Sequence, residues 1–568
     1  IKRLIDVSSP AGAFALRDKL KADVIIAGEQ NERKPEGFDF GNSPTEMMTG
    51  NIAGKTLIHC TTAGTNGILN ATGASEILGA GLVNAGAVAN IQRMKTRYIT
   101  AILIFVFMSS LSLLRGQPGH SISVTVKGDN DIMVRLAYHV GNQQYVKDSL
   151  STGKSGTCSF TGADRLAPGV YMIVLPGNTF FEFLLGNDQH FDIVCDVGDP
   201  AATLVFNGSE ENIRFLGYQR RWKELQDEAM ALSGRLNAAP PSGSEAAALR
   251  KQLGDHEKKM KQYLLETAET NKGTLLGAIA RSIIPVETPE PVVPAGTVNR
   301  DSVARLMSYL HYKNHFFDNI EFTEPGLIRS PVLGGRLEQF FRQVVIQMPD
   351  SIIKEADRVL EKSTANDDLF QYVAVWLMNR YAVSEIMGHD AVVVHLADRI
   401  YLSGRAPWAS EEYLADLKKR VDRLRTNLIG TIAPELLMNS FAGHYVSLYD
   451  VRADFTIIYF WEPDCGHCKE ATPMLKEYYE KNREKGIAVF AVCTQHDREE
   501  WEKYIVDNGL NWINGWDPQR LSRFDYLYNV ESTPLIYILD RDKKIIAKRL
   551  ATEDIPSFIE TYRKFQGH

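Results

Sequence analysis

The sequence predicts a multidomain protein of mixed class: α/β, then β, then α, closing on a second α/β domain. Three observations carry this. The 568 residues exceed what one hydrophobic core organises. Apolar residues alternate with period two between 121 and 210, then recur at helical spacing from 211 to 428. Near the C-terminus, the β-branched and aromatic run Phe455 to Phe460 breaks at Pro463 and Asp464. A helical pattern follows it, with Cys465 and Cys468 at the junction.

Composition narrows the classes. An apolar fraction of 44% is ordinary for globular protein. A net charge of −7 offers no basic footprint for nucleic acid. Six cysteines in this length are not a disulfide scaffold.

In residues 1–93, Val24 to Gly28 and Thr56 to Cys60 read as short buried strands with glycine-rich exits, an α/β pattern. The strings AGEQNERKPEGFDFGNSP (Ala27 to Pro44) and TTAGTNG (Thr61 to Gly67) resemble 2-phosphosulfolactate phosphatase, a magnesium-dependent family. The resemblance implies magnesium only if this fragment is functional. Thr61, Thr62, Gly64 and Thr65 either cradle a phosphate through backbone N–H groups or form a turn in an incomplete domain. A parallel sheet cut short exposes edges and apolar faces, which favours the turn.

Residues 94–120 begin with the basic Met94-Lys95-Thr96-Arg97. The uncharged run Tyr98 to Leu114 follows, then the polar exit Arg115-Gly116-Gln117-Pro118. Positive start, apolar middle and polar exit describe a secretory signal. The run is shorter than the roughly 20 residues of a spanning helix. A phosphatase-like piece ahead of an export signal leads to the expectation that Met94 is the true start and that residues 1–93 derive from a neighbouring gene. The alternative is a fusion anchored in the membrane through residues 98–114.

In residues 121–210, Ser121 to Lys127 alternates Ile122, Val124 and Val126 against Ser, Thr and Lys. Ile132 to Tyr138, Val170 to Leu175, Phe180 to Leu185 and Phe191 to Cys195 are further strands, separated by Gly, Asn and Pro breaks. Their spacing predicts a β-sandwich. Cys158 and Cys195 either pair as a disulfide or stay as buried thiols.

In residues 211–428, Asn212 to Leu236 and Glu245 to Thr270 predict two antiparallel helices around the break Ala238 to Ser244. Ile284 to Gly296 carries four prolines and reads as extended. Amphipathic helices rich in aromatics follow, with Tyr309, Tyr312, Phe316, Phe317, Phe340, Phe341, Tyr372, Trp376 and Tyr381. At helical spacing these read as core rather than as a substrate groove. His311 and His315 sit at i,i+4 without the Glu of a His-Glu-x-x-His pattern, which argues against a metal.

Residues 429–568 hold the chemistry. A strand feeding Cys-x-x-Cys at a helix start suits thiol–disulfide exchange. The unpaired N–H groups and the dipole of the first turn stabilise a thiolate there. The i,i+3 spacing brings the second sulfur to the same face. The competing reading, half of a zinc site, needs two more ligands at metal spacing; Cys493 and His496 are a possible second pair.

With the preceding Phe460-Trp461, with Pro473, and with Thr533-Pro534 ahead of the strand Leu535 to Leu539, this stretch resembles a thioredoxin-like domain of the TlpA/ResA-like type. Ile487 to Val492, Ile545 to Leu550 and Ile555 to Phe565 read as its remaining strands and closing helix. Gly430 to Pro434 resembles its opening strand. Residues 121–210 and 211–428 are similar to modules found ahead of such domains in secreted bacterial proteins.

The resemblance implies Cys465 as attacking thiolate, Cys468 as resolving thiol and Pro534 as the cis-proline beside them. His467 is expected to stabilise the thiolate, and the Gly-His pair matches the dipeptide of disulfide isomerases. Trp461 and Thr533 are expected to meet the substrate. Where thioredoxins carry a buried acid, Tyr459 stands, so Glu462 or Asp464 is expected to carry the proton. The function implied is an exported thiol–disulfide oxidoreductase of the periplasm or cell envelope. It needs no cofactor beyond a redox-active Cys465–Cys468 disulfide. Its partners would be client proteins with cysteines and a membrane or periplasmic electron donor. The alternatives are a non-catalytic envelope binding protein on the same scaffold, or a magnesium-dependent phosphatase resting on residues 1–93.

Overall fold

The computed structural model describes residues 119–566, together with 3–6, 13–14, 17–18, 24–28, 39 and 56–60. The chain divides into two compact units between Gly116 and Gln117. In the first, strands β1 (Arg3–Asp6), β2 (Val24–Gly28) and β3 (Thr56–Cys60) form a parallel sheet in the order β1-β3-β2. Ile26 and Ile58 are buried there against Ala13. The two expected strands fall where the sequence placed them, and β1 was not anticipated. The signal-like run 98–114 lies outside the described residues.

The second unit opens with two four-stranded sheets. One has the order β11-β10-β4-β7, from β4 (His120–Lys127), β7 (Thr157–Gly162), β10 (His190–Asp196) and β11 (Val205–Asn207). The other has the order β6-β5-β8-β9, from β5 (Met133–Val140), β6 (Gln143–Ser151), β8 (Gly169–Val174) and β9 (Phe180–Leu185). Ile122, Val124, Val134, Leu136, Phe183 and Ile193 fill the interior, so the period-two residues face inward as a sandwich requires. Cys158 and Cys195 are both free thiols, and the disulfide alternative fails on register. Cys158 pairs with Val124 and Cys195 with Val126 on opposite sides of β4. Two strand spacings of about 4.8 Å exceed the reach of a disulfide.

Helices α1 (Glu210–Ala238) and α2 (Ser244–Thr270) form the expected antiparallel pair. Tyr218 stacks on Tyr263, and His256 Nε2 lies 2.8 Å from the Leu225 carbonyl, so the contacts run in reverse order along the two helices. Ser209 caps α1 by accepting the Asn212 N–H. The buried Asn212 amide then bonds both backbone groups of Leu184 in β9, at 2.7 and 2.9 Å, which ties the sandwich to the helices.

The chain then runs through α3 (Leu275–Ile283), the irregular proline segment, α4 (Arg300–His315), α5 (Pro331–Gln339), α6 (Pro349–Ser363), α7 (Asp367–Ala382), α8 (Asp390–Leu396) and α9 (Glu411–Arg425). Phe316, Phe317, Phe340, Phe341 and Tyr381 are buried in one core, with Tyr309, Tyr312, Tyr372 and Trp376 packed on it. The aromatic stripe is therefore packing.

The last domain is a seven-stranded sheet in the order β13-β12-β16-β15-β14-β17-β18. Its strands are β12 (Leu437–Ser440), β13 (Tyr445–Ser447), β14 (Phe455–Trp461), β15 (Ile487–Cys493), β16 (Ile513–Trp516), β17 (Leu535–Leu539) and β18 (Ile545–Lys548). Helices α10 (Gly466–Asn482), α11 (Arg498–Asn508) and α12 (Ile555–Gln566) accompany it. Strand β14 lies inside the sheet, parallel to β15 and antiparallel to β17. Every residue of β14 is buried: Ile457, Tyr459 and Trp461 enter one core, Ile458 and Phe460 the other. A strand covered on both faces needs an unbroken apolar run, which is what the sequence carries.

One expectation is corrected. Gly430 to Pro434 is not the opening strand; that strand is β12. Ile432 makes a single antiparallel bridge to Lys544, and Gly430 N–H bonds the Ile545 carbonyl at 2.8 Å. The segment covers the outer edge of β18 before the chain crosses to the opposite edge.

The helical module is joined to this sheet through a buried cation. Lys548 of β18 donates to the Asn427 carbonyl at 2.8 Å and to its side-chain oxygen at 2.9 Å, and it pairs with Asp390. Burial lowers the Lys548 ammonium pKa, and Asp390 opposes that shift. Asp390→Ala leaves the ammonium buried without its countercharge. A loss of about 3–5 kcal/mol is expected from urea unfolding. The double variant Asp390→Leu, Lys548→Met should recover most of it.

Candidate active site

The C-terminal ends of the parallel strands β14 and β15 meet the start of α10. Cys465 is the N-cap of that helix, with extended backbone angles, and its Sγ accepts the Cys468 N–H at 3.2 Å. A thiolate in that position satisfies an otherwise orphaned helical donor and faces the positive end of the dipole. The Thr533 carbonyl lies 3.4 Å from Cys465 Sγ, and the Thr533-Pro534 peptide bond is cis. The structure thus brings Cys465, Cys468, Thr533 and Pro534 together.

The two thiols differ in surroundings. Cys465 is half-buried and Cys468 is fully buried, both as free thiols. Burial pushes the Cys468 thiol up to about 12, and its hydrogen bond with Cys465 adds to the rise. The Glu462 backbone N–H and the Thr533 side chain oppose it. His467 lies exposed in the first turn of α10.

The proton-carrier candidates occupy different settings. Glu462 is half-buried, its carboxylate bonded to the Thr494 hydroxyl and its main chain on the Cys468 thiol. Asp464 is exposed, and its carboxylate receives the Gln495 side-chain amide.

Trp461, expected to meet the substrate, is fully buried. Strand parity puts it on the same face as Tyr459, whose ring stacks on it at 6.4 Å, and Tyr504 packs against it at 5.0 Å. It supports the site from below and presents nothing to a client. Tyr459 replaces the thioredoxin acid with a neutral group. Its hydroxyl lies 3.0 Å from the Thr472 hydroxyl and donates to the Cys468 carbonyl at 3.4 Å, and burial holds it well above its ordinary range.

Sequence reasoning did not find Thr472, Thr494, Gln495 or Tyr504. It named Cys493 as half of a possible metal pair with His496. Cys493 is buried opposite Trp461 in the β14–β15 register, its thiol pushed up to about 12 by burial, with the nearby carboxylates Glu462 and Asp464 adding to the rise. The one signal for it was its place at the end of a parallel strand, the edge where α/β sites gather.

Among the described residues no group of three or more His, Cys, Asp or Glu side chains could hold a metal ion. His311 stacks on His315 at 4.3 Å, and His315 pairs with Asp318 at 2.6 Å. Thr61, Thr62, Gly64, Thr65 and the magnesium tied to them lie outside the described residues.

A mixed sheet with a Cys-x-x-Cys at the head of a helix and a cis-proline beside it defines a thioredoxin-like domain. Residues 429–548 match the AhpC/TSA family, and residues 1–105 match 2-phosphosulpholactate phosphatase. The C-terminal domain is thus thioredoxin-like and related to thiol–disulfide oxidoreductases, behind a phosphatase-like fragment.

Thiol-disulfide oxidoreductase ResA of Geobacillus kaustophilus is 26% identical over 141 residues, 24% of this chain and 78% of that protein. A domain of a possible thiol-disulfide isomerase from Cytophaga hutchinsonii is a similar solved structure. It is 40% identical over 25% of this chain and 96% of that chain, with a TM-score of 0.24. A protein named probable 2-phosphosulfolactate phosphatase, from Caldanaerobacter subterraneus, is 39% identical over 89 residues, 16% of this chain. The match spans 37% of that phosphatase's length.

The difference between the thiols gives a direct test. At pH 8 a thiol held at about 12 is ionised in only about one molecule in ten thousand. Brief iodoacetamide treatment of the reduced native protein should alkylate Cys465 and spare Cys158, Cys195, Cys468 and Cys493, as read by peptide mass spectrometry.

Proposed function

We propose that this protein is an exported thiol–disulfide oxidoreductase that exchanges disulfides with client proteins through Cys465-Gly466-His467-Cys468. The observation that carries this is Cys465 Sγ at the N-cap of α10, 3.2 Å from the Cys468 N–H and 3.4 Å from the Thr533 carbonyl. Cys465 attacks a client disulfide, forming a mixed disulfide and releasing one client thiolate. Cys468 then attacks Cys465 and releases the second. Two electrons pass from the protein dithiol to the client disulfide, and the reverse sequence oxidises a client.

The order of the steps follows from the coupling between the thiols. The Cys465 thiol helps keep Cys468 protonated. Once Cys465 is consumed in the mixed disulfide that contribution is gone, and Cys468 ionises more readily. Glu462, already touching the Cys468 thiol through its main chain, is the proposed acceptor for the proton.

Export rests on the signal-like pattern of residues 94–118, and places the protein in the periplasm or cell envelope. Among the described residues no helix is long and apolar enough to cross a membrane. The electron donor would be a membrane or periplasmic protein.

The Gly-His dipeptide favours an oxidising or isomerising role. The Gln495 amide on Asp464 supports it by offsetting the one carboxylate adjacent to Cys465. Equilibration in glutathione buffers should therefore give a potential near the roughly −180 mV of disulfide isomerases. A value near or below about −270 mV would make the protein a dedicated reductase. Cys465→Ser should abolish exchange, and absence of exchange in the unaltered protein would leave a binding protein on this scaffold.

A further inference from the structure

Cys468 is held at its N–H, its thiol and its carbonyl, and the first two ties are spent in exchange. The N–H donates to Cys465 Sγ at 3.2 Å, and that sulfur is the one consumed by a client. The thiol faces the Glu462 N–H and the Thr533 side chain, and is itself the second nucleophile. The carbonyl receives the Tyr459 hydroxyl at 3.4 Å, from inside β14. Only this last tie persists through every step.

It is the end of a chain of hydroxyls. Thr472 Oγ1 lies 3.0 Å from the Tyr459 hydroxyl. Burial raises the Tyr504 phenol pKa, and a hydrogen bond with the Thr472 side chain opposes the rise. A carbonyl only accepts, and each hydroxyl has one proton to give. Tyr504 therefore donates to Thr472, Thr472 to Tyr459, and Tyr459 to Cys468. Tyr459 and Thr472 are both fully buried, with Ile457, Trp461 and Leu475 in the surrounding core. A phenylalanine and a valine would fill that space with no polar group to desolvate. Burial also holds the Tyr459 phenol protonated far above its ordinary range, so it grips the carbonyl and takes no proton from the thiol.

We infer that the Tyr459–Thr472–Tyr504 hydroxyl chain positions Cys468 for the resolving step of exchange and leaves the attack by Cys465 to the helix cap. This rests on the exchange reading above and names positioning residues for that same site. As a thiolate, Cys465 holds the Cys468 N–H through a charge-assisted bond. In the mixed disulfide that sulfur carries no charge, and the bond weakens. The carbonyl tie then keeps the first turn of α10 in place while Cys468 attacks.

The test uses the full chain, fully reduced, with dithiobis(2-nitrobenzoate) in excess. The Cys465 thiolate attacks one reagent sulfur, breaks the reagent's S–S bond and releases one coloured thionitrobenzoate. Cys468 loses its proton, attacks Cys465 Sγ and releases the second. The two protein thiols end as a disulfide, and the reagent gains the two electrons. Stopped-flow absorbance shows two phases, of which only the first scales with reagent concentration. Cys468→Ser should show the first phase alone.

Tyr459→Phe and Thr472→Val should each slow the second phase about fivefold, the size of one lost hydrogen bond, and leave the first phase unchanged. Their combination should be no slower than either alone, because each breaks the same chain. Thr472→Ser keeps the hydroxyl and should keep the rate, which separates positioning from packing. Should Tyr459→Phe not fold, the contrast between Thr472→Val and Thr472→Ser decides. A second phase indifferent to these substitutions, or both phases slowed alike, overturns the inference, while two-phase release by the unaltered protein still upholds exchange. No release by the unaltered protein overturns both.

Discussion

The capping of α10 by a sulfur is the interaction on which the site depends. A thiol can serve as an N-cap only if the preceding strand stops at a fixed height, so that Cys465 leaves the sheet with extended backbone just before Gly466 turns into the helix. Burial of β14 on both faces fixes that height. Seven consecutive buried residues leave no register in which the strand could slip without exposing aromatic side chains on one face and uncoupling β15 and β17 on the edges. Core packing and redox geometry are in this sense one constraint.

Much of this was legible in the sequence, for a physical reason. Where burial is one-sided or complete, composition reports it: β9 and β17 span the residues anticipated, and β14 extends one residue further. Strand β6 was missed because it is mostly exposed along its length, so its residues do not alternate. Strand β7 is short and rich in Ser and Thr. The Gly430 to Pro434 segment misled because a bridge to a sheet edge uses the same extended chemistry as a strand.

Within the site, the cysteines and the Thr-Pro pair were readable because they sit in local motifs. Thr494 and Gln495 lie 32 and 31 positions along the chain from Glu462 and Asp464 and reach them through the β14–β15 register, which no local pattern encodes. Trp461 was misplaced for another reason. The resemblance implied a contact with substrate, while strand parity turned the ring into the core with Tyr459. Tyr459 itself shows how the fold tolerates losing a buried acid: a phenol hydrogen-bonded to Thr472 fills the space without a charge to desolvate.

The segment from Gly430 to Ala433 has a bearing on how the sheet meets other chains. Exposed sheet rims are templates for aggregation. Here the rim of β18 is closed: Ile545 N–H bonds the Thr431 carbonyl, Ala433 N–H bonds the Lys543 carbonyl, and Lys548 N–H reaches the Met387 sulfur at 3.3 Å. At the other rim β13 offers only three residues. The tether between modules therefore doubles as a gasket. An excised thioredoxin-like domain that began after Pro434 would lose it and leave the Ile545 N–H and the Lys543 and Ile545 carbonyls open along the β18 rim.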